Sequence, residues 1–394
     1  MAATVALVVS ACGGADNSEG SVNSSVLRVV FGTAVLDVPP ESPQGVVASL
    51  GLEGETELFS TADGLYVNGP DGAMLVDPID RTIEVVAGID VVLAASDEGI
   101  VGTAGDDLVA IASSGGTPVT LEVPDGRSAT RQKVAMYGSH VVVADGGWFA
   151  EYDVNSGEAL WVADSGELPW DLDDPTDAPF DAPRELVVGA GTVGAHWLLD
   201  DVTVLVALAS DDGRLLGLNT IPRPENVTHE LEGSLDGGRL IVRVGDDFRN
   251  TPSRGWIRSI DIPTGTELWS VESNEWFDRP LVTADLIAAP NQDSSLWLIE
   301  PQTGDALAVP IGARVQRAPL RHERGLVMST VDGEVLLVDE TTGQQVGEVV
   351  VLPDVDEVTG IALVGDIFYV ATVQSFINND NDPAKLWGID VNSF

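Results

Sequence analysis

With 394 residues and a hydrophobic fraction of 44%, the chain exceeds the size at which one core keeps growing, so its apolar content must divide among domains or repeated sub-cores. Its 63 acidic and 19 basic residues give a formal charge of −44, which excludes nucleic acid and anionic membrane surfaces as electrostatic partners, because both require a basic footprint. The single cysteine excludes an intrachain disulfide and any multi-cysteine metal or redox site.

The first element is a short apolar stretch, Ala2 to Val9, running into Val9-Ser10-Ala11-Cys12. This segment resembles the bacterial lipoprotein signal, in which small residues let a signal peptidase cut before the cysteine and the thiol then carries the lipid. That resemblance implies a signal peptide over 1–11, too short to span a bilayer. It also implies lipidation at Cys12 and an anchor on the outer face of the cytoplasmic membrane. The chain departs from that pattern in one respect, since no Lys or Arg precedes the apolar stretch. Residues 12–25 then read as a flexible polar tether. No later segment has the roughly 18 consecutive apolar residues that a membrane-spanning helix needs.

From Val26 onward the pattern is one of short Val/Ile/Leu runs separated by turn residues, with 42 glycines and 22 prolines, which predicts strands joined by tight turns and an all-β class. A repeat is visible in chain order. Its clearest copies are Tyr152-Asp153-Val154-Asn155-Ser156-Gly157-Glu158-Ala159-Leu160-Trp161 and Ile260-Asp261-Ile262-Pro263-Thr264-Gly265-Thr266-Glu267-Leu268-Trp269. Weaker copies run from Ile111 to Gly116, Leu208 to Gly213, Ile299 to Gly304 and Val338 to Gly343. Degenerate ones lie at Leu75-Val76-Asp77-Pro78 and Ile389-Asp390-Val391-Asn392-Ser393. Each reads as a strand ending at the acid, a tight turn whose glycine supplies positive φ, and a returning strand.

Upstream of the Gly343 copy, Gly325 to Ser329 and Glu334 to Asp339 flank an Asp332-Gly333 hairpin turn. A short strand around Ala318-Pro319-Leu320 precedes it. The sum is four antiparallel strands in about 40 residues, the size of one propeller blade. The marker glycines Gly116, Gly157, Gly213, Gly265, Gly304 and Gly343 are 41, 56, 52, 39 and 39 residues apart. Hydrophobic-Asp-x-x-Thr/Ser-Gly-x-x-x-Trp resembles the repeat of the PQQ-type, quinoprotein-like propellers. The resemblance covers nearly all of 26–394 and implies a single propeller of eight four-stranded blades, with seven as the alternative. Because the last copy ends without an outer strand, Val26 to Phe31 is expected to supply it and close the ring, with Trp161 and Trp269 packed between blades.

The resemblance also raises dehydrogenase chemistry, since the family includes quinone-dependent enzymes with a vicinal cysteine pair. One cysteine cannot form that pair, so neither PQQ nor another cofactor is expected, and no enzymatic activity. Gly189-Ala190-Gly191-Thr192-Val193-Gly194 matches a dinucleotide fingerprint, but strand-like sequence follows it, which favours a blade hairpin. Asn378, Asp380 and Asp382 alternate as in a calcium loop. Pro383 and Ile389 stand where an EF-hand needs Gly and Glu, leaving at most weak calcium binding. His140, His196, His229 and His322 show no ligand spacing.

The scarce cations draw the eye instead. Arg127, Arg131 and Lys133 form one sequence cluster and Arg314, Arg317, Arg321 and Arg324 another, while Arg184 and Arg279 stand beside Pro183 and Pro280. Arg131, Arg184, Arg279 and Arg317 precede expected innermost strands, so a cationic rim at one mouth is a candidate site for an unknown protein partner. The other reading of these arginines is surface charge offsetting neighbouring carboxylates. The expected function is an extracytoplasmic, lipid-anchored, monomeric protein-binding or scaffolding propeller, resembling in architecture the propeller lipoprotein of outer-membrane β-barrel assembly. The alternative is a ligand- or quinone-binding propeller that uses its central channel.

Overall fold

A computed structural model describes residues 30–31, 34–35, 46–52, 58–61, 64–69, 72–77 and 82–394, apart from 114–115, 125–131, 164–181, 190, 200, 247–253, 316, 354, 356 and 374–383. Among these, eight four-stranded antiparallel sheets follow one another along the chain. They form blades over 58–85, 91–120, 133–163, 185–222, 227–273, 281–310, 320–351 and 357–390. The count is eight, not seven. No helix among the described residues is long and apolar enough to cross a membrane.

In the first seven blades the strands are hydrogen-bonded in chain order. The first strands of the first six blades lie beside one another in turn, as do those of the seventh and eighth, and that of the eighth, Glu357–Val364, returns to Leu58–Ser60 of the first. The ring is therefore closed around these innermost strands. Because strand directions alternate within each blade, every innermost strand starts at the same mouth, here termed the inlet mouth.

Strand alternation sends successive side chains into opposite blade interfaces. In His140–Asp145, Val141 and Val143 pack toward the second blade while Val142 and Ala144 pack toward the fourth. Among the described residues, the buried apolar side chains form eight clusters, one at each blade–blade interface. The core is divided into sub-cores, as the chain length requires.

The repeat motif has a direct physical basis. Asp153 Oδ1 accepts from the Asn155 and Ser156 amides at 3.0 and 2.9 Å and from Ser156 Oγ at 3.1 Å. Asp339 does the same with Thr341 and Thr342. Acid and hydroxyl thus satisfy the turn's amides, and the glycine takes a φ near the left-handed region that a side chain resists, +71° at Gly157 and +68° at Gly343. Trp161 donates from Nε1 to the Ser210 carbonyl of the next blade at 2.9 Å. Its ring lies so close to Gly213 that an added Cβ would fall 2.4 Å from it. Trp269 repeats the contact with the Pro301 carbonyl at 3.0 Å and with Gly304.

Ring closure differs from the expectation in which residues supply it. Val46–Leu52, rather than Val26 to Phe31, pairs with Ala384–Asp390 as the outer strand of the eighth blade. Val30–Phe31 pairs with Ala34–Val35. Val46–Leu52 contains no proline and matches the seven residues of Ala384–Asp390. It also lies only five residues ahead of Leu58, so the connection into the first blade is short. Pro39, Pro40 and Pro43, which lack the amide a ladder needs, separate it from the earlier run.

Candidate functional site

Arg184, Arg279 and Arg317 lead the innermost strands Glu185–Gly189, Leu281–Val282 and Leu320–His322 at the inlet mouth. Pro183 and Pro280 are buried beside the exposed Arg184 and Arg279, so the proline pins the strand start while the arginine faces solvent. Arg317 donates from Nε to the Val358 carbonyl of the eighth blade at 3.3 Å. Arg131 lies outside the described residues, as do Cys12, Asn378, Asp380 and Asp382.

The densest charge cluster sits where the fourth, fifth and sixth blades meet this mouth. On the innermost strand Val227–Leu235, Glu230 and Glu232 flank the buried Leu231, Glu232 at a bulge in the ladder, and both reach the same arginine. From the neighbouring strand, Arg243 Nε donates to Glu232 at 2.6 Å, its guanidinium also reaches Glu230, and a further N–H donates to the Phe277 carbonyl at 3.0 Å. Arg279 Nε stands 3.6 Å from Glu232, Arg184 4.0 Å from Glu230, and Arg314 3.4 Å from Asp278. Glu185 accepts the Leu231 amide at 2.6 Å and lies 3.1 Å from Nδ1 of the buried His196.

Burial sets the electrostatics of this cluster. The Glu232 side chain is 3% exposed, against 66% for Arg279. Burial pushes its carboxyl up to about 7, against the downward pull of Arg279 and with added repulsion from Glu185. Asp278 is likewise raised by burial despite Arg314. For Glu185 burial pushes upward, but His196, the Leu231 amide and Arg279 together hold it below the usual carboxylate range. On the same strand as Glu230 and Glu232, the buried His229 bonds Thr203 Oγ1 at 2.8 Å. Burial, and then Arg258, His196 and Arg223, lower it to about 4.

The structure thus brings Arg184 and Arg279 into one network, in both cases opposite carboxylates. The sequence cluster of four arginines, by contrast, divides. Arg314 and Arg317 precede the strand Leu320–His322; Arg321 bridges Asp285 and Glu340 at 2.8–3.0 Å; Arg324 donates to the backbone oxygens of Val391 and Phe394 at 2.7 and 3.0 Å. Arg243, Glu230 and Glu232 were not singled out from sequence. Their only sequence signal is charge alternating with apolar residues on strands that should be buried.

Gly189 to Gly194 is the hairpin between Glu185–Gly189 and Thr192–Leu198, not a phosphate loop. On the opposite mouth, the buried Glu151 accepts from the Tyr137 hydroxyl at 2.9 Å and lies 2.7 Å from His140 Nδ1. His322, Glu323 and Asp366 offer ligand atoms within 4.8 Å of one another, a grouping 44 residues apart that spacing does not reveal. The imidazole there is already engaged: Nδ1 accepts the Arg324 amide at 3.2 Å and Nε2 faces Asp366 at 3.1 Å. A metal on Nε2 would force a proton onto Nδ1 against that amide.

Comparison with known proteins places the chain among propellers. The family model of the outer membrane protein assembly factor BamB matches residues 84–307 and 200–381. A search of curated proteins finds no match. Among solved structures, BamB from Moraxella catarrhalis is 16% identical, with 87% of this chain and 96% of that chain covered and a TM-score of 0.49. The Dos1 propeller is 11% identical, covers 88% and 94% of the two chains and has a TM-score of 0.58. Sqt1 of Saccharomyces cerevisiae is 13% identical over 89% and 100%, with a TM-score of 0.52. At these identities the likeness is one of fold.

Proposed function

Because the chain belongs to the family of the outer membrane protein assembly factor BamB, we propose that it is a protein-binding or scaffolding propeller working outside the cytoplasm, held at the outer face of the cytoplasmic membrane by a lipidated Cys12. The family match across 84–381 is the observation that carries this reading. The Val9-Ser10-Ala11-Cys12 signal supports the anchor. The partner docks at the inlet mouth, where Arg184, Arg279 and Arg314 are exposed cations on an otherwise acidic protein, so its contacting segment is acidic.

In this reading the protein turns over no substrate and needs neither PQQ nor calcium. The test is a crosslinking pull-down from membranes with the wild type and with Arg184→Gln/Arg279→Gln. The expected result is a discrete partner whose recovery falls at least several-fold with the double variant. Equal recovery would remove the inlet mouth as the docking site, and dye-linked dehydrogenase turnover on addition of PQQ and calcium would overturn the non-enzymatic reading.

A further inference from the structure

Charge within the network around Glu232 is balanced in a way that a single proton can upset. Among the described residues, the network holds four guanidinium groups, Arg184, Arg243, Arg279 and Arg314, and four carboxyl groups, Glu185, Glu230, Glu232 and Asp278. Glu232 is its pivot. It is buried on the innermost strand of the fifth blade. Facing it are Arg243 from the neighbouring strand, Arg279 from the segment leading into the sixth blade, and Glu185 from the innermost strand of the fourth, while Asp278 beside Arg279 acts on Arg243. Glu230 shares Arg243 with it.

We propose that Glu232 is a proton-operated switch for the docking surface: its protonation loosens Arg279 and turns this network from neutral to cationic, strengthening the hold on an acidic partner. This rests on the docking reading above and adds its regulation.

The geometry makes the coupling direct. As a carboxylate, Glu232 accepts from Arg243 at 2.6 Å with one oxygen and faces Arg279 at 3.6 Å with the other. Arg279 reaches across from solvent to that oxygen. A protonated carboxyl has no charge to hold it, whereas Arg243 keeps Glu230 and the Phe277 carbonyl. The freed guanidinium is the one with the greatest solvent access in the network. Burial also favours the uncharged form of Asp278, so acidification acts in one direction at both sites.

Two measurements separate the switch from the docking reading. Infrared difference spectroscopy over about pH 5 to 8, the range around an upshifted carboxyl, is expected to show a carboxyl band lost in Glu232→Gln. Binding of a fluorescent oligo-glutamate peptide, at about 0.15 M salt so that distant charges are screened, is expected to be about three- to tenfold tighter at pH 6 than at pH 8. Glu232→Gln, which mimics the protonated acid, is expected to bind tightly at both pH values, and Arg279→Gln weakly at both. If no carboxyl titrates in this range, or if the wild type binds equally at both pH values, the switch is overturned while docking stands. If the Glu232 band titrates but the peptide binds at neither pH, the docking reading fails and the switch with it.

Discussion

At the scale of single residues, the chain combines exposed groups whose task is local with buried groups that respond to pH. Asp153 and Asp339 serve their own turns. Partial burial pushes Asp153 upward, but the amides and hydroxyl two or three residues on outweigh it and hold the carboxyl below the usual carboxylate range. The same hydrogen bonds, from Thr342 and Thr341, hold Asp339 down. His229 is the opposite case. It is 3% exposed and bonded to Thr203, and its folded value of about 4 lies below the ordinary 6.5. The neutral ring is the folded form, so its contribution to stability is complete above pH 6.5 and is lost as pH falls toward 4. The size of that loss is about 3 kcal/mol. His229→Gln is expected to flatten this part of the pH profile in urea unfolding, and a wild-type minus variant difference that stays constant from pH 7 to about pH 4 would contradict it.

At the scale of elements, the decisive pairing is between strands from the two ends of the described chain. Val46–Leu52 and Ala384–Asp390 share six residue pairs, and without them the third strand of the eighth blade becomes an open edge. Removing residues through 45 is expected to leave the melting temperature nearly unchanged. Removing them through 53 is expected to cost about 3–6 kcal/mol, from six ladder hydrogen bonds at about 0.5–1 kcal/mol each. Thermal unfolding of the two truncations decides this, and equal midpoints would mean that the ring does not depend on this strand. The C-terminal turn adds a second tie, because Arg324 of the seventh blade holds the backbone oxygens of Val391 and Phe394.

At the scale of the whole molecule, eight interface cores carry the fold, and the large net negative charge leaves the few basic clusters as the places where an acidic partner finds attraction. The anchor belongs to this scale too. In the proposed reading the mature chain begins at Cys12, so Cys12→Ser is expected to move the protein from the membrane fraction to the soluble one without altering its circular dichroism. A variant that stays membrane-bound would refute lipidation at Cys12. Stable attachment requires more than one lipid chain, since one holds only marginally.

Much of this architecture was legible in the residues themselves. Asp-x-x-Thr/Ser-Gly specifies its turn through contacts within five residues, and alternation along each strand specifies two buried faces, so blade, class and blade count follow from local chemistry repeated along the chain. The partner of the last blade's open edge was not legible, because several N-terminal segments could have satisfied it and only chain length and proline placement chose among them. Nor was the Glu230–Glu232–Arg243 network, whose members come from different strands and become neighbours only when three blades meet. The tertiary structure decided how readily Glu232 and Asp278 ionise, because burial raises both carboxyls and burial is a property of the closed ring rather than of any segment.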